Sequence, residues 1–232
     1  MNLFSFLAEA ANWVGPTGIW TRVGEHLLYV LVSLALACAI SLPLGAAIGH
    51  FRRGDFLVIG VGNAARALPT LGLLVLVVTL LGTGLVPVVL ALVVLAIPPV
   101  LNATAAGFRE ADRGAVHAAI ALGMTPAQVV GQVELPLAMP LILSGLRSAS
   151  LQLVATATVA AMAASGGLGR FIVDGQALGT AGYPEMFAGA VLVAVLALVI
   201  DLVLGGAGWA LERLAHRRSR AALPIQPEGA HL

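Results

Sequence analysis

The chain has 232 residues, of which 59% are hydrophobic and only 10% charged, with a formal net charge of +1. Soluble domains carry about 25% charged residues, so lipid rather than water is the expected solvent. All twelve basic residues are arginine, and the lack of lysine excludes a Walker A phosphate loop, which needs that side chain at the β/γ-phosphates, and also Schiff-base chemistry. If ATP drives this protein, another polypeptide binds it. The single cysteine, Cys38, excludes an internal disulfide and a Cys-rich metal site.

In chain order, residues 1–22 carry Phe4, Phe6, Trp13 and Trp20 with Glu9 and Asn12 between them. The segment is too short and polar to span, and an N-terminal interfacial helix turned at Gly15-Pro16 is expected. Residues 1–14 hold no arginine, so a cleaved signal peptide is not expected. Leu27 to Gly49 is uncharged and reads as span one, followed by a basic loop, His50 to Asp55. Span two is expected from Phe56 to about Leu81, a turn at Gly82-Thr83-Gly84, and span three from Leu85 to Gly107, with Pro98-Pro99 inside it. A polar segment at 108–140 follows. Span four is expected from Leu141 to Ala164, a Gly-rich loop from Ser165 that reaches Glu185, and span five from Met186 to Leu211. The chain thus divides into an N-terminal segment at 1–22, a transmembrane domain at 23–213 and a basic tail at 214–232 that is expected to be disordered.

Five spans put the termini on opposite sides. Arg52, Arg53, Arg109, Arg113, Arg213, Arg217, Arg218 and Arg220 fall on one side, and only Arg22 and Arg170 on the other. The positive-inside rule then makes the polar loop and the C-terminus cytoplasmic and the N-terminus external.

The polar loop reads as two short capped helices. Asp112 caps a helix from Arg113 to about Leu122, and Gly123 stops it. Thr125-Pro126-Ala127-Gln128 restarts it as a capping box with Pro at the first helical position. Pro136 is expected to end this second helix and Pro140 to start span four. Such caps predict a rigid protrusion. Within it stand His117-Ala118-Ala119, three residues, Gly123, nine residues, and Val133-Glu134-Leu135-Pro136. This spacing resembles the EAA loop of ATP-binding-cassette (ABC) importer permeases, with His117 where the pattern has Glu. Arg66 to Leu71, Pro98 to Gly107 and Gly166 to Gly169 resemble the osmoprotectant branch of these permeases. The resemblance covers roughly residues 25 to 210.

The resemblance implies an all-α integral membrane protein with the five core transmembrane helices of the type I ABC importer permease. It implies a multi-pass subunit of the bacterial plasma membrane that imports glycine betaine, choline, carnitine or proline and is not itself an enzyme. Its partners would be nucleotide-binding ATPase subunits, a second permease subunit and an extracytoplasmic substrate-binding protein. No cofactor is expected in this chain, ATP and Mg being bound by the ATPase. His117, Ala118, Ala119, Gly123, Val133, Leu135 and Pro136 would form the ATPase-coupling loop.

Polar residues at membrane depth are functional candidates. Arg66 in span two, with Asn63, Pro69 and Thr70 near it, either faces the pathway or snorkels to the headgroups. A proline inside the span would free carbonyls that can line a pathway. Asn102 lies in span three. Ser148, Gln152 and Thr156 recur at four-residue intervals and share a face, which lines the pathway or bonds other helices. Asp201, an intramembrane acid in span five, either pairs with an arginine or titrates, and pairing is the expected state. The alternatives are an ABC permease for another small polar solute and an ion-coupled secondary transporter. One intramembrane acid and five spans fit the latter poorly. No HExxH or G-x-S-x-G pattern occurs in the chain.

Overall fold

The computed structural model describes residues 4–54, 56, 58, 60, 62, 69–163 and 166–221, with the side chains at 211, 212 and 214–221 left aside. It is all helical, with no strand among the described residues. A short turn of helix, α1 (Ser5–Ala8), and a 3-10 turn (Ala10–Trp13) precede α2 (Ile19–Phe51). Next come α3 (Thr70–Leu81), α4 (Leu85–Glu110), α5 (Arg113–Ala121) and α6 (Pro126–Val129). A π-turn (Val130–Glu134) joins α6 to α7 (Leu135–Ala160), and α8 (Gly169–Ala177), a 3-10 turn (Gly179–Gly182) and α9 (Tyr183–Ala221) follow. Among the described residues, four helical stretches are long and apolar enough to cross a membrane: Ile19–Phe51, Leu85–Glu110, Pro126–Ala160 and Gly179–Ala210.

α2, α4 and α7 form the centre. Tyr29, Val30 and Ala37 of α2 meet Val88, Ala91, Leu92 and Ala96 of α4 and Leu153, Val154 and Ala157 of α7, with Leu74 of α3 at the edge. Small residues bring these helices close, as packing in lipid requires when no hydrophobic force separates helix from solvent. A Cβ on Gly145 of α7 would lie 2.3 Å from the Ala103 Cβ of α4. The outer surface is apolar: Leu80 of α3 and Leu198, Leu202 and Val203 of α9 are all exposed. Such a bundle has its greasy surface outside, as a chain solvated by hydrocarbon must.

Several expectations are corrected. The first long helix begins at Ile19, not Leu27, because its polar first turns are paired. Arg22 reaches Glu25 at 3.0 Å. Glu25 accepts from the Gly167 amide at 2.8 Å, and buried His26 lies 3.1 Å from the Val154 carbonyl. Span two is not one helix through Pro69. That residue is extended (φ −68°, ψ 119°) and stands at the N-terminus of α3, where a missing N–H costs nothing. The expected hairpin turn is present, with Gly82 at φ +84° and Gly84 at φ +133°, values that side-chain-bearing residues avoid.

Pro136 does not end the helix before span four. α6, the π-turn and α7 run on as one rod, with Pro136 in the first turn of α7 and Pro140 inside it. Pro136 has no N–H for the carbonyl one α-turn back, and the π-turn just before it supplies wider bonding, Leu135 N–H to Val130 O. The loop after α7 contains the helix α8. The last helix runs on to Ala221, past Arg213 where the membrane domain was expected to end. Ala, Leu, Glu and Arg dominate 210–221, and the first breaker is Pro224.

A capped surface loop and a polar face at membrane depth

The loop between α4 and α7 takes the expected form. The Asp112 carboxylate accepts from the Gly114 amide at 2.7 Å and caps α5. At the other end Gly123 (φ +83°) donates to Ile120 O at 2.9 Å and Met124 to Ala119 O at 3.2 Å. These paired bonds are a Schellman stop, which needs a residue tolerant of left-handed backbone. Thr125 and Gln128 then close the capping box: the Gln128 side chain accepts from the Thr125 amide at 2.8 Å. Three polar devices therefore hold α5, α6 and the exposed corner between them.

Ala119 is buried beneath this corner, while His117, Ala118 and Gly123 are exposed. Ile120 is 56% and Leu122 84% exposed. The α5–α6 corner thus carries an exposed apolar tip. Val133 is half-buried and Leu135 and Pro136 are exposed, on the rod that rises into α7.

The structure adds two groups that the sequence reading missed. His50, in the last turn of α2, places Nδ1 2.6 Å from the Glu134 carboxylate in the π-turn, and Glu134 is only 5% exposed. Arg52 donates to the Arg109 carbonyl at 2.9 Å. They tie the C-terminal end of α2 to the π-turn and to the last turn of α4. His50 and Glu134 are 84 residues apart, and no local spacing rule connects them.

Of the pathway candidates, Asn63 and Arg66 lie outside the described residues. Pro69 is exposed and Thr70 half-buried at the start of α3. Asn102 sits beside Gly62, and its Oδ1 is buried with no hydrogen-bond partner among the described residues. Ser148 and Gln152 are exposed on α7, but Thr156 is turned into the core. Eight residues at 100° each leave a drift of about 80°, which carries the third member of the stripe off the face. Asp201 is paired: Arg147 of α7 grips it with two guanidinium nitrogens. Arg147, a lone charge within span four, was legible as an outlier but not as this partner. With Ser144, Ser148 and Gln152 it makes a polar, exposed face on α7.

Residues 39–213 match the family described as binding-protein-dependent transport system inner membrane component. The chain belongs to this family. It is 37% identical over 180 residues to the choline transport system permease protein OpuBB of Bacillus subtilis, covering 78% of this chain and 82% of that one. It is 36% identical over 183 residues to the glycine betaine/carnitine/choline transport system permease protein OpuCB of the same organism, covering 79% and 83%. Among solved structures, an inward-facing form of the MetNI methionine ABC transporter superposes with a TM-score of 0.73 at 26% identity, covering 83% of this chain and 95% of that one. The chain is thus a multi-pass membrane protein and a permease subunit of an ABC importer. In this inner membrane component the capped corner between α5 and α6 exposes His117, Ala118, Ile120 and Leu122.

Proposed function

We propose that this permease imports small osmoprotectants of the glycine betaine, choline, carnitine or proline kind, by alternating access coupled to ATP hydrolysis in a separate subunit. The substrate class is supported by the similarity to OpuBB and OpuCB. The coupling reading is carried by one observation: the doubly capped α5–α6 corner with Ile120 and Leu122 outward. A stiff, apolar tip can seat in a groove of the ATPase and transmit its closure as a rigid-body movement. His117, Ala118, Ala119, Gly123, Val133, Leu135 and Pro136 belong to that contact or to its support. ATP and Mg are held by the ATPase, and no ATPase site resides in this chain.

The membrane domain crosses five times, the segment from Phe56 to Leu81 supplying one crossing around Pro69. The N-terminus is external, α5 and α6 are cytoplasmic, and the N-terminal turns lie at the headgroups. A second permease subunit completes the pathway, and an extracytoplasmic binding protein delivers the solute. The polar face of Ser144, Arg147, Ser148 and Gln152 lines the water-filled side. A bidentate ion pair at membrane depth is disfavoured against hydrocarbon and favoured beside water or protein.

Reconstitution with the cognate ATPase and binding protein tests the whole reading. Uptake of radiolabelled glycine betaine or choline should require both partners and ATP. Gly123→Trp should stay inserted but lose at least about tenfold in uptake, since φ +83° and a bulky side chain are incompatible at the corner. Uptake driven by an ion gradient without the ATPase would select the secondary-transporter alternative. Wild-type uptake by the Gly123 variant would remove the coupling role.

A further inference from the structure

The capped corner can move the bundle only if something connects it to helices other than its own. α6, the π-turn and α7 are one rod, so α7 follows directly. α2 is a different case. Between its inner end and the start of α6 lies a cleft of about 320 Å³, lined mainly by apolar groups of Pro43, Ala46, Ala47, Phe51, Pro126 and Ala127. Loose apolar walls transmit little. Across the rim of this cleft stands the His50–Glu134 contact, 2.6 Å long, with the carboxylate almost fully enclosed. A short, part-buried hydrogen bond to a carboxylate resists both stretching and sliding far better than an unfilled cleft does. Its acceptor sits in a π-turn, the one irregular turn of the rod and a form that recurs at functional sites.

We propose that the His50–Glu134 contact is the joint through which displacement of the α5–α6 corner reaches α2, with the π-turn as its flexible seat. Resting on the coupling reading above, this makes both side chains positioning residues that touch neither solute nor nucleotide. The joint lets α2 and α7 move together while the cleft opens and closes beside it. α2 packs along α4 through Gly45 and Gly49 against Thr104, Ala105 and Phe108, so a shift of α2 is passed to the centre of the bundle.

The decisive measurement is the number of ATP molecules hydrolysed per solute moved, in liposomes holding permease, ATPase and binding protein. His50→Ala and Glu134→Ala should each raise that ratio severalfold, chiefly by lowering uptake while ATP hydrolysis persists. Glu134→Gln, which keeps the shape and a weaker bond, should give an intermediate ratio. The double alanine variant should be no worse than either single one, because both remove the same contact. A merely structural role would lower uptake and hydrolysis in step and leave the ratio unchanged. If the alanine variants do not insert, Glu134→Gln decides alone. A wild-type ratio in an inserted Glu134→Gln protein, or additive effects in the double variant, would overturn the joint. Wild-type coupling in Gly123→Trp would instead overturn the coupling reading on which the joint rests.

Discussion

At the scale of single residues, the unusual feature is a pair of opposite charges placed where the chain is otherwise apolar. Arg147 lies at the middle of α7 and Asp201 well inside α9. Each would be costly alone at that depth, and together they cancel charge and satisfy each other's hydrogen bonds. Asp201 was readable as an intramembrane acid that pairs, yet the partner could come only from how α7 and α9 lie. Arg147→Gln and Asp201→Asn should each lower the detergent melting temperature by several degrees. The double variant, having no orphaned charge, should regain much of that loss. Additive losses in thermal-shift measurements would mean the two side chains do not act as a pair. Thr156 shows the opposite limit. Its four-residue spacing from Gln152 suggested a shared face, but the helix advances 40° past a full circle at each such step, and Thr156 is buried where Gln152 is exposed.

At the scale of elements, the corner between α5 and α6 is where local rules succeed best. Every device there acts within six residues: Asp112 on Gly114, Met124 on Ala119, Thr125 with Gln128. Such short-range bonds are set by residue type and order and owe little to the rest of the fold. Thr125→Ala should therefore loosen α6 by about 1 kcal/mol, the usual worth of an N-cap. The change should appear as roughly fivefold faster hydrogen exchange at the Gln128 amide, with no effect on the core of α4. Equal exchange in both proteins would show that packing, not the cap, holds the turn. The rod from α6 to α7 is where the same rules failed. Proline normally ends a helix by removing a donor, and Pro136 was read in that way. Here a π-turn immediately before the proline shifts the bonding register and lets the rod continue.

At the scale of the molecule, an apolar exterior and an asymmetric distribution of arginine make a testable statement about orientation. Cys38 is the single cysteine, so Cys38→Ala gives a background for site-specific labelling. In it, Leu122→Cys, at the tip of the corner, should react with an impermeant maleimide only after the membrane is opened. Leu178→Cys, on the exposed loop between α8 and α9, should react in intact cells. The reverse pattern would invert the topology and detach the corner from any cytoplasmic ATPase. What this sequence determined unaided was its apolar solvent, its all-helical class and the capped corner. All of these follow from composition or from bonds between residues a few positions apart. Only the tertiary structure decided that His50 meets Glu134, that Arg147 holds Asp201, and that the first turns of α2 are buried by Val154 and the loop at Gly167. Those contacts join residues tens of positions apart, and they depend on crossing angles that small side chains permit but do not encode by spacing.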